Sequence, residues 1–379
     1  MNFELNDEQV LIRDSVRAVL ADRAPMTRVR ELLDSDQDVD SDLWKAAVEA
    51  GWTGLTLPER FGGAELGLVE LALLAQEGGR ALARGPHLST ALVGAALVDE
   101  GDADPAAEVL PELVAGRAWA AWAFAEPGMP WSLDGVRAVA RRDPDGSYVL
   151  DGVKTAVQDA GGARWILVTA LDGGEPASFL VDRAAPGVTV RRQRVLDPTR
   201  TFYEVRLAGV RVLGGRRSGG GPAAVQRLLD KGSVLRCADA LGTMERLLEL
   251  TVEHTTSRVQ FGRPIGSFQA VKHGCSDMAL TVHGAFAATY RAAMAADHDP
   301  HGTNTARAVS AAAAFTAEGA TEVAGRALQL HGGIGFTWEH DLHLYLRRAR
   351  TDAVLHGDAA VHQDRLCTLL ATASSADTR

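Results

Sequence analysis

Along the first third of the chain, apolar positions recur three and four residues apart, the pattern of helices with one buried face. Asn6 followed by Gln9 has the form of a capping box, and Ile12, Val16, Val19 and Leu20 then repeat on one side. A second helix is predicted from Ser41 to a stop at Gly51, where a residue free to take positive φ suits a helix terminus. Residues 58–67, with Gly62 and Gly63, read as a loop, and helical spacing returns over 68–82. Residues 1–117 therefore predict a helical bundle.

Between residues 118 and 213 the period shortens. Runs rich in Val, Ile, Tyr, Phe and Trp alternate with turn signals such as Asp143-Pro144-Asp145-Gly146 and Asp172-Gly173-Gly174. Strands are predicted at 136–140, 148–150, 165–170, 178–181, 188–190 and 204–207. About six to eight strands at this spacing predict a small β barrel or sandwich. A linker over 214–222 holds five glycines, after which helical patterning runs over 223–256, 264–297 and 305–330. Residues 222–379 thus predict a second helical bundle, with a tail expected to fray after Ser374. The fold class expected is mainly α with a central β domain.

Composition narrows the function. The 379 residues carry 39 Lys plus Arg against 49 Asp plus Glu, a formal net charge of −10 that disfavours binding to a nucleic-acid backbone. Hydrophobic residues at 46% and charged residues at 23% fit a packed globular protein and exclude long disorder. Cys237, Cys275 and Cys367 lack C-x-x-C spacing, so neither a disulfide framework nor a zinc knuckle is expected. The amino terminus is acidic, and the most apolar run, 308–317, is about half the ~18 residues of a membrane span. A cytoplasmic protein without a membrane span is expected. His331, His340, His343 and His362 do not form a ligand set such as H-E-x-x-H, so no metal site is expected.

Specific words then connect the chain to a family. GWTGLTLPERFGG over 51–63, FAEPG over 124–128, RVQFGRPIGSFQ over 258–269 and QLHGGIGF over 329–336 stand in the order found in the acyl-CoA dehydrogenases, which this chain resembles over almost its whole length. The resemblance implies bundle, β domain and bundle, binding of FAD, and α,β-desaturation of an acyl-CoA thioester. It also implies an electron-transfer flavoprotein as acceptor and an obligate oligomer, usually a tetramer built from dimers. The residues suit that cofactor: Arg258 offers a planar fork of donors for a diphosphate, Phe261 an apolar plate, and Gln269 a donor and an acceptor. Gly332 and Gly333, lacking Cβ atoms, let backbone N–H groups approach a ligand. Arg258, Phe261, Phe268, Gln269, Gln329, Gly332 and Gly333 match positions that contact the FAD of a neighbouring subunit, and Gln158 and Asp358 match two further cofactor positions.

Three departures stand out. The family's T-E-P-x-x-G-S-D word reads Ala125-Glu126-Pro127-Gly128-Met129-Pro130-Trp131-Ser132, where Pro130 has no N–H and Trp131 replaces a small hydroxyl. G-x-K-x-W-I-T reads Gly152-Val153-Lys154-Thr155-Ala156-Val157-Gln158. The glutamate that removes the α-proton aligns with His356 in one subgroup and with Gly232 in another. Candidate bases are His356, by its ordinary pKa near ~6.5, Asp239, two helical turns beyond Gly232, and Asp358. Arg347, Arg348 and Arg350 read as a charged helix face or a subunit contact. The alternatives are a homo-oligomer using its own base, a hetero-oligomer whose partner supplies it, a flavin oxidase or monooxygenase on the same fold, and a non-catalytic stabilising subunit.

Overall fold

The computed structural model describes residues 5–35, 37–99, 103–217 and 220–376. Asn6 caps the first helix as expected: its side chain accepts from the Gln9 amide at 2.8 Å, and Gln9 Oε1 accepts from the Asn6 amide at 3.1 Å. That helix, α1 (Asp7–Arg23), opens a bundle with α2 (Met26–Leu33), α3 (Ser41–Glu49), α4 (Leu68–Ala81), α5 (His87–Asp99) and α6 (Ala103–Val114). Gly51, with φ 76, follows α3 and turns the chain into a short 3-10 segment.

The middle segment forms β1 (Ala120–Ala123), β2 (Val139–Arg142), β3 (Tyr148–Gln158), β4 (Trp165–Asp172), β5 (Glu175–Asp182), β6 (Val188–Arg192) and β7 (Phe202–Val212). They make one seven-stranded sheet in the order β1-β4-β2-β3-β7-β6, with β5 paired to β4. Val168, Phe179, Val205 and Leu150 gather into a core of the sheet's own, whereas Trp122, Phe124, Trp165 and Leu167 join the core shared with the helices. The strand predicted at 136–140 starts only at Val139, because Leu133–Gly135 is a 3-10 turn and Glu126 holds the Arg137 and Ala138 amides.

The last segment contains α7 (Gly221–Ser257), a small hairpin of β8 (Val259–Gln260) and β9 (Arg263–Pro264), then α8 (Gln269–His298), α9 (Thr303–His331), α10 (Leu342–Asp352) and α11 (Ala359–Ala376). The hairpin delays α8 from the predicted start at Pro264 to Gln269. Of the predicted linker, Gly214–Arg216 is a 3-10 turn and residues 218 and 219 lie outside the described residues. The last helix reaches Ala376, and the rest of the tail also lies outside them. Among the described residues no helix is long and apolar enough to cross a membrane.

Two glycines bring α4 and α7 into backbone contact. A Cβ on Gly79 would lie 2.0 Å from the Asp239 carbonyl oxygen, and one on Gly242 would lie 1.8 Å from that of Gln76. No other residue type allows this approach, which sets where α7 presents Gly232 and Asp239.

Candidate functional site

The two positions that the resemblance assigns to a base are one place in space. His356, in the turn before α11, lays its imidazole on Gly232 of α7, and a Cβ on that glycine would meet ring atoms at 3.1, 3.2 and 3.3 Å. The turn is held by the left-handed φ of 54 at His356, whose carbonyl accepts from His362 Nε2 at 3.0 Å and from Ser233 Oγ at 3.4 Å. Trp122 stacks on the imidazole at 6.0 Å between centroids, and Trp131 meets it edge-on at 5.1 Å. The residue as a whole is half-buried, yet the ring is enclosed and its Nδ1 is covered without a partner. Burial first, and then the charge of Arg236, push the imidazole from 6.5 down to about 3. At neutral pH it is uncharged and resists taking a proton.

Asp239 shares the Gly232 face of α7, as its spacing predicts, but arginines occupy its carboxylate. Arg200 Nη2 lies 2.7 Å from it and Arg348 Nη1 3.2 Å. Burial pushes this acid up, but the Arg200 and Arg348 guanidiniums outweigh that and hold its pKa below the usual range. Around it, Arg200 pairs with Asp352 at 2.6 Å, and Arg348 pairs with Asp197 at 2.9 Å and donates to Thr199 Oγ1. The cluster ties α7 and α10 to the segment between β6 and β7. Arg348, expected on a solvent or subunit face, is only 1% exposed, because Asp197 and Asp239 meet it beneath α10.

Between these groups lies a cleft of about 630 Å³, walled by Leu88, Leu92, Trp122, Trp131, Phe202 and Leu355 and reached by Gln158, Arg200, Arg236 and Asp239. Gln158 lines it while donating to Asp159 at 3.3 Å. Asp358 is exposed, caps α11 by accepting from the Val361 amide at 2.9 Å, and does not line the cleft.

The loop carrying Pro130 and Trp131 is fixed by a pair that residue patterns alone did not single out. Lys154 Nζ, fully buried, sits 2.7 Å from Glu126 Oε1 and 3.0 Å from the Phe124 carbonyl. Glu126 Oε1 also accepts from the Arg137 and Ala138 amides at 2.8 Å. The signal was present, since each of the two altered words retains one opposite charge in an otherwise apolar setting. With the loop pinned, Trp131 stacks on Phe124 at 5.8 Å and projects to His356. An isoalloxazine in this chain's own cleft would have to displace both rings and would find no N–H at Pro130. This half of the site does not fit the cofactor.

The other half does. Arg258 caps the C-terminus of α7, 258 − 232 = 26 residues beyond Gly232, or about 39 Å along one continuous helix. The hairpin after it puts Phe261 at its tip with φ 53 and 92% exposure, edge-on to Phe268 at 6.1 Å. Gln269 opens α8 exposed, and Gln329 is exposed near the end of α9. Gly332 and Gly333 follow, with open space where a Cβ would stand on either and φ 65 at the first. His254, one turn before Arg258, stacks at 4.5 Å on His331, which precedes Gly332, so the two words end at one edge of the bundle. A guanidinium, an amide, an aromatic plate and an open glycine backbone on one exposed edge suit a dinucleotide held by another subunit. Among the described residues no cluster of His, Cys, Asp and Glu could hold a metal ion.

Comparison with known proteins agrees with this architecture. Family profiles match at residues 6–117 (acyl-CoA dehydrogenase, N-terminal domain), 121–207 (middle domain) and 219–368 (C-terminal domain). Acyl-CoA dehydrogenase IpdE2 of Mycobacterium tuberculosis is 36% identical over 92% of this chain and 93% of its own length. The ChsE4–ChsE5 complex from the same organism superposes with a TM-score of 0.90 at 29% identity, covering 98% of this chain and 99% of the other. A variant of the Tcur3481–Tcur3483 steroid ACAD gives 0.88 at 30%, covering 97% and 99%. The chain therefore belongs to the acyl-CoA dehydrogenase family, whose oxidoreductases depend on FAD.

Proposed function

We propose that this chain is one of two subunit types of a hetero-oligomeric acyl-CoA dehydrogenase. It contributes Arg258, Phe261, Phe268, Gln269, Gln329, Gly332 and Gly333 to a cofactor seated mainly in a partner chain, and the partner supplies the base. One observation carries the reading: the base position over Gly232 is filled by a neutral imidazole beside Trp131, while the exposed dinucleotide edge lies about 39 Å away along α7. One flavin cannot use both ends within a single chain. Likeness to the ChsE4–ChsE5 complex and to the Tcur3481–Tcur3483 steroid ACAD supports pairing with a second chain type.

FAD, when bound, supplies the acceptor for the β-hydrogen as hydride and passes electrons on to an electron-transfer flavoprotein. This chain's own residues position the cofactor: the Arg258 guanidinium binds its diphosphate, and the glycine backbone allows close approach. The test is expression of the chain alone and together with a genomic neighbour of the same family. The chain alone is expected to be colourless. The pair is expected to be yellow, with native mass showing both chains and anaerobic bleaching by an acyl-CoA, a steroid acyl-CoA being the first to try. A stoichiometric flavin on the isolated chain, bleached by acyl-CoA, would overturn the proposal.

A further inference from the structure

A second buried cation faces the same cleft, and among the described residues no carboxylate pairs with it. Arg236 of α7 is 3% exposed and lines the cleft. Its Nη2 donates to the Ala313 carbonyl of α9 at 3.2 Å, whereas Nε and Nη1 are covered and without a partner. Among the described residues it forms no ion pair, in contrast to Arg200 and Arg348 nearby, which are fully engaged. A guanidinium withdrawn from water without a counter-charge is costly, and a protein that retains one has an anion to bring to it. Burial first, and then the Arg236 charge, lower both His356 and His362 beside it.

We infer that this cleft binds a small monocarboxylate with an apolar or aromatic body, its charge held by Arg236. The body is specified by the walls: Leu92, Leu235, Leu355, Phe202, Trp122 and Trp131 surround the same space. A single charge is specified by Arg236 itself, since Arg200 and Arg348 beside it are already paired with Asp197, Asp239 and Asp352. A second groove shares Trp131 and His356 as lining with the cleft. The site concerns only groups of this chain and stands whether or not a partner subunit holds the flavin. Its consequence is that the cleft in which Trp131 and His356 stand still recognises a ligand.

The experiment titrates the full chain, in its assembly where one forms, with 3-phenylpropanoate and octanoate and with the matching neutral amides. Calorimetry reads affinity, and tryptophan fluorescence reports on Trp122 and Trp131. Saturable carboxylate binding is expected, weaker by about tenfold or more for the amides, because only the carboxylate makes a charge-assisted hydrogen bond. In Arg236→Met the carboxylates should fall to the level of the amides, while amide binding stays as in the parent. That variant removes an unpaired buried cation, so its Tm should stay level or rise, which separates lost binding from lost folding. The inference is overturned by the absence of saturable binding, by equal affinity for acid and amide, by carboxylate affinity unchanged in Arg236→Met, or by chloride or inorganic phosphate alone matching the carboxylates.

Discussion

Replacing Arg348 by methionine probes the charge cluster that locks α10 and α7 to the β domain. The guanidinium is 1% exposed, lies 2.9 Å from Asp197 and 3.2 Å from Asp239, and donates to Thr199 Oγ1 at 2.6 Å. Methionine fills comparable volume, so the perturbation is electrostatic. Asp239 keeps Arg200 at 2.7 Å, but Asp197 loses its ion pair while remaining fully buried. Leaving one buried charge without its partner costs about 3 to 5 kcal/mol, a large part of the roughly 5 to 15 kcal/mol that holds a typical domain together. The orphaned Asp197 then prefers to be protonated when folded, so the variant loses ground to the parent as pH rises. Urea unfolding at about pH 5.5 and 8, followed by far-ultraviolet circular dichroism, should show a gap that widens at the higher pH. Adding Asp197→Asn should recover part of the loss, since the amide keeps the Thr199 turn and carries no charge. A loss below about 1 kcal/mol, or a gap independent of pH, would refute the reasoning.

Other expectations follow from the same geometry. In the assembled enzyme His356→Gln should leave turnover within about threefold, as measured by flavin-linked dye reduction, because general base catalysis contributes ~10²-fold or more and is assigned to the partner; a loss beyond a hundredfold would make His356 the base. Arg258→Gln in this chain should lower the flavin content of the purified pair by about tenfold through the lost charged donors, without lowering this chain's own Tm, and full flavin retention would remove Arg258 from the cofactor site. Stability should peak at about pH 6 to 7. Burial lowers His87, His356 and His362 from 6.5 to about 4, 3 and 4, so their contribution is lost as pH falls below 6.5. Burial raises Asp159 and Asp352 from 3.8 to about 6 and 8, so theirs declines as pH rises toward those values. A Tm that climbs steadily to pH 8 would contradict these assignments.

Local pattern accounted for much of the fold. The capping box at Asn6, the stop at Gly51 and the starts of β3 and β4 depend on neighbours a few residues apart, and all stand where spacing put them. The short strand β1, Ala120–Ala123, escaped notice because alanine favours helix, and only pairing of Ala120 with Trp165 and its successors makes it extended. The words around Arg258 and Gly332 could be read as a candidate cofactor edge from the sequence because glycines, an arginine and an amide carry their chemistry in their own backbone freedom and donors.

The sequence by itself determined the helical and strand periods and the family, since each is a property of short segments. Tertiary structure alone decided that His356 and Gly232, 356 − 232 = 124 positions apart, meet in one place. It also decided that Arg348 is buried among carboxylates while Arg236, among the described residues, lies buried without one. Charge and burial at those sites arise where distant segments cross, and a guanidinium has the same letter in the chain whether it ends beside an acid, beside water or beside nothing.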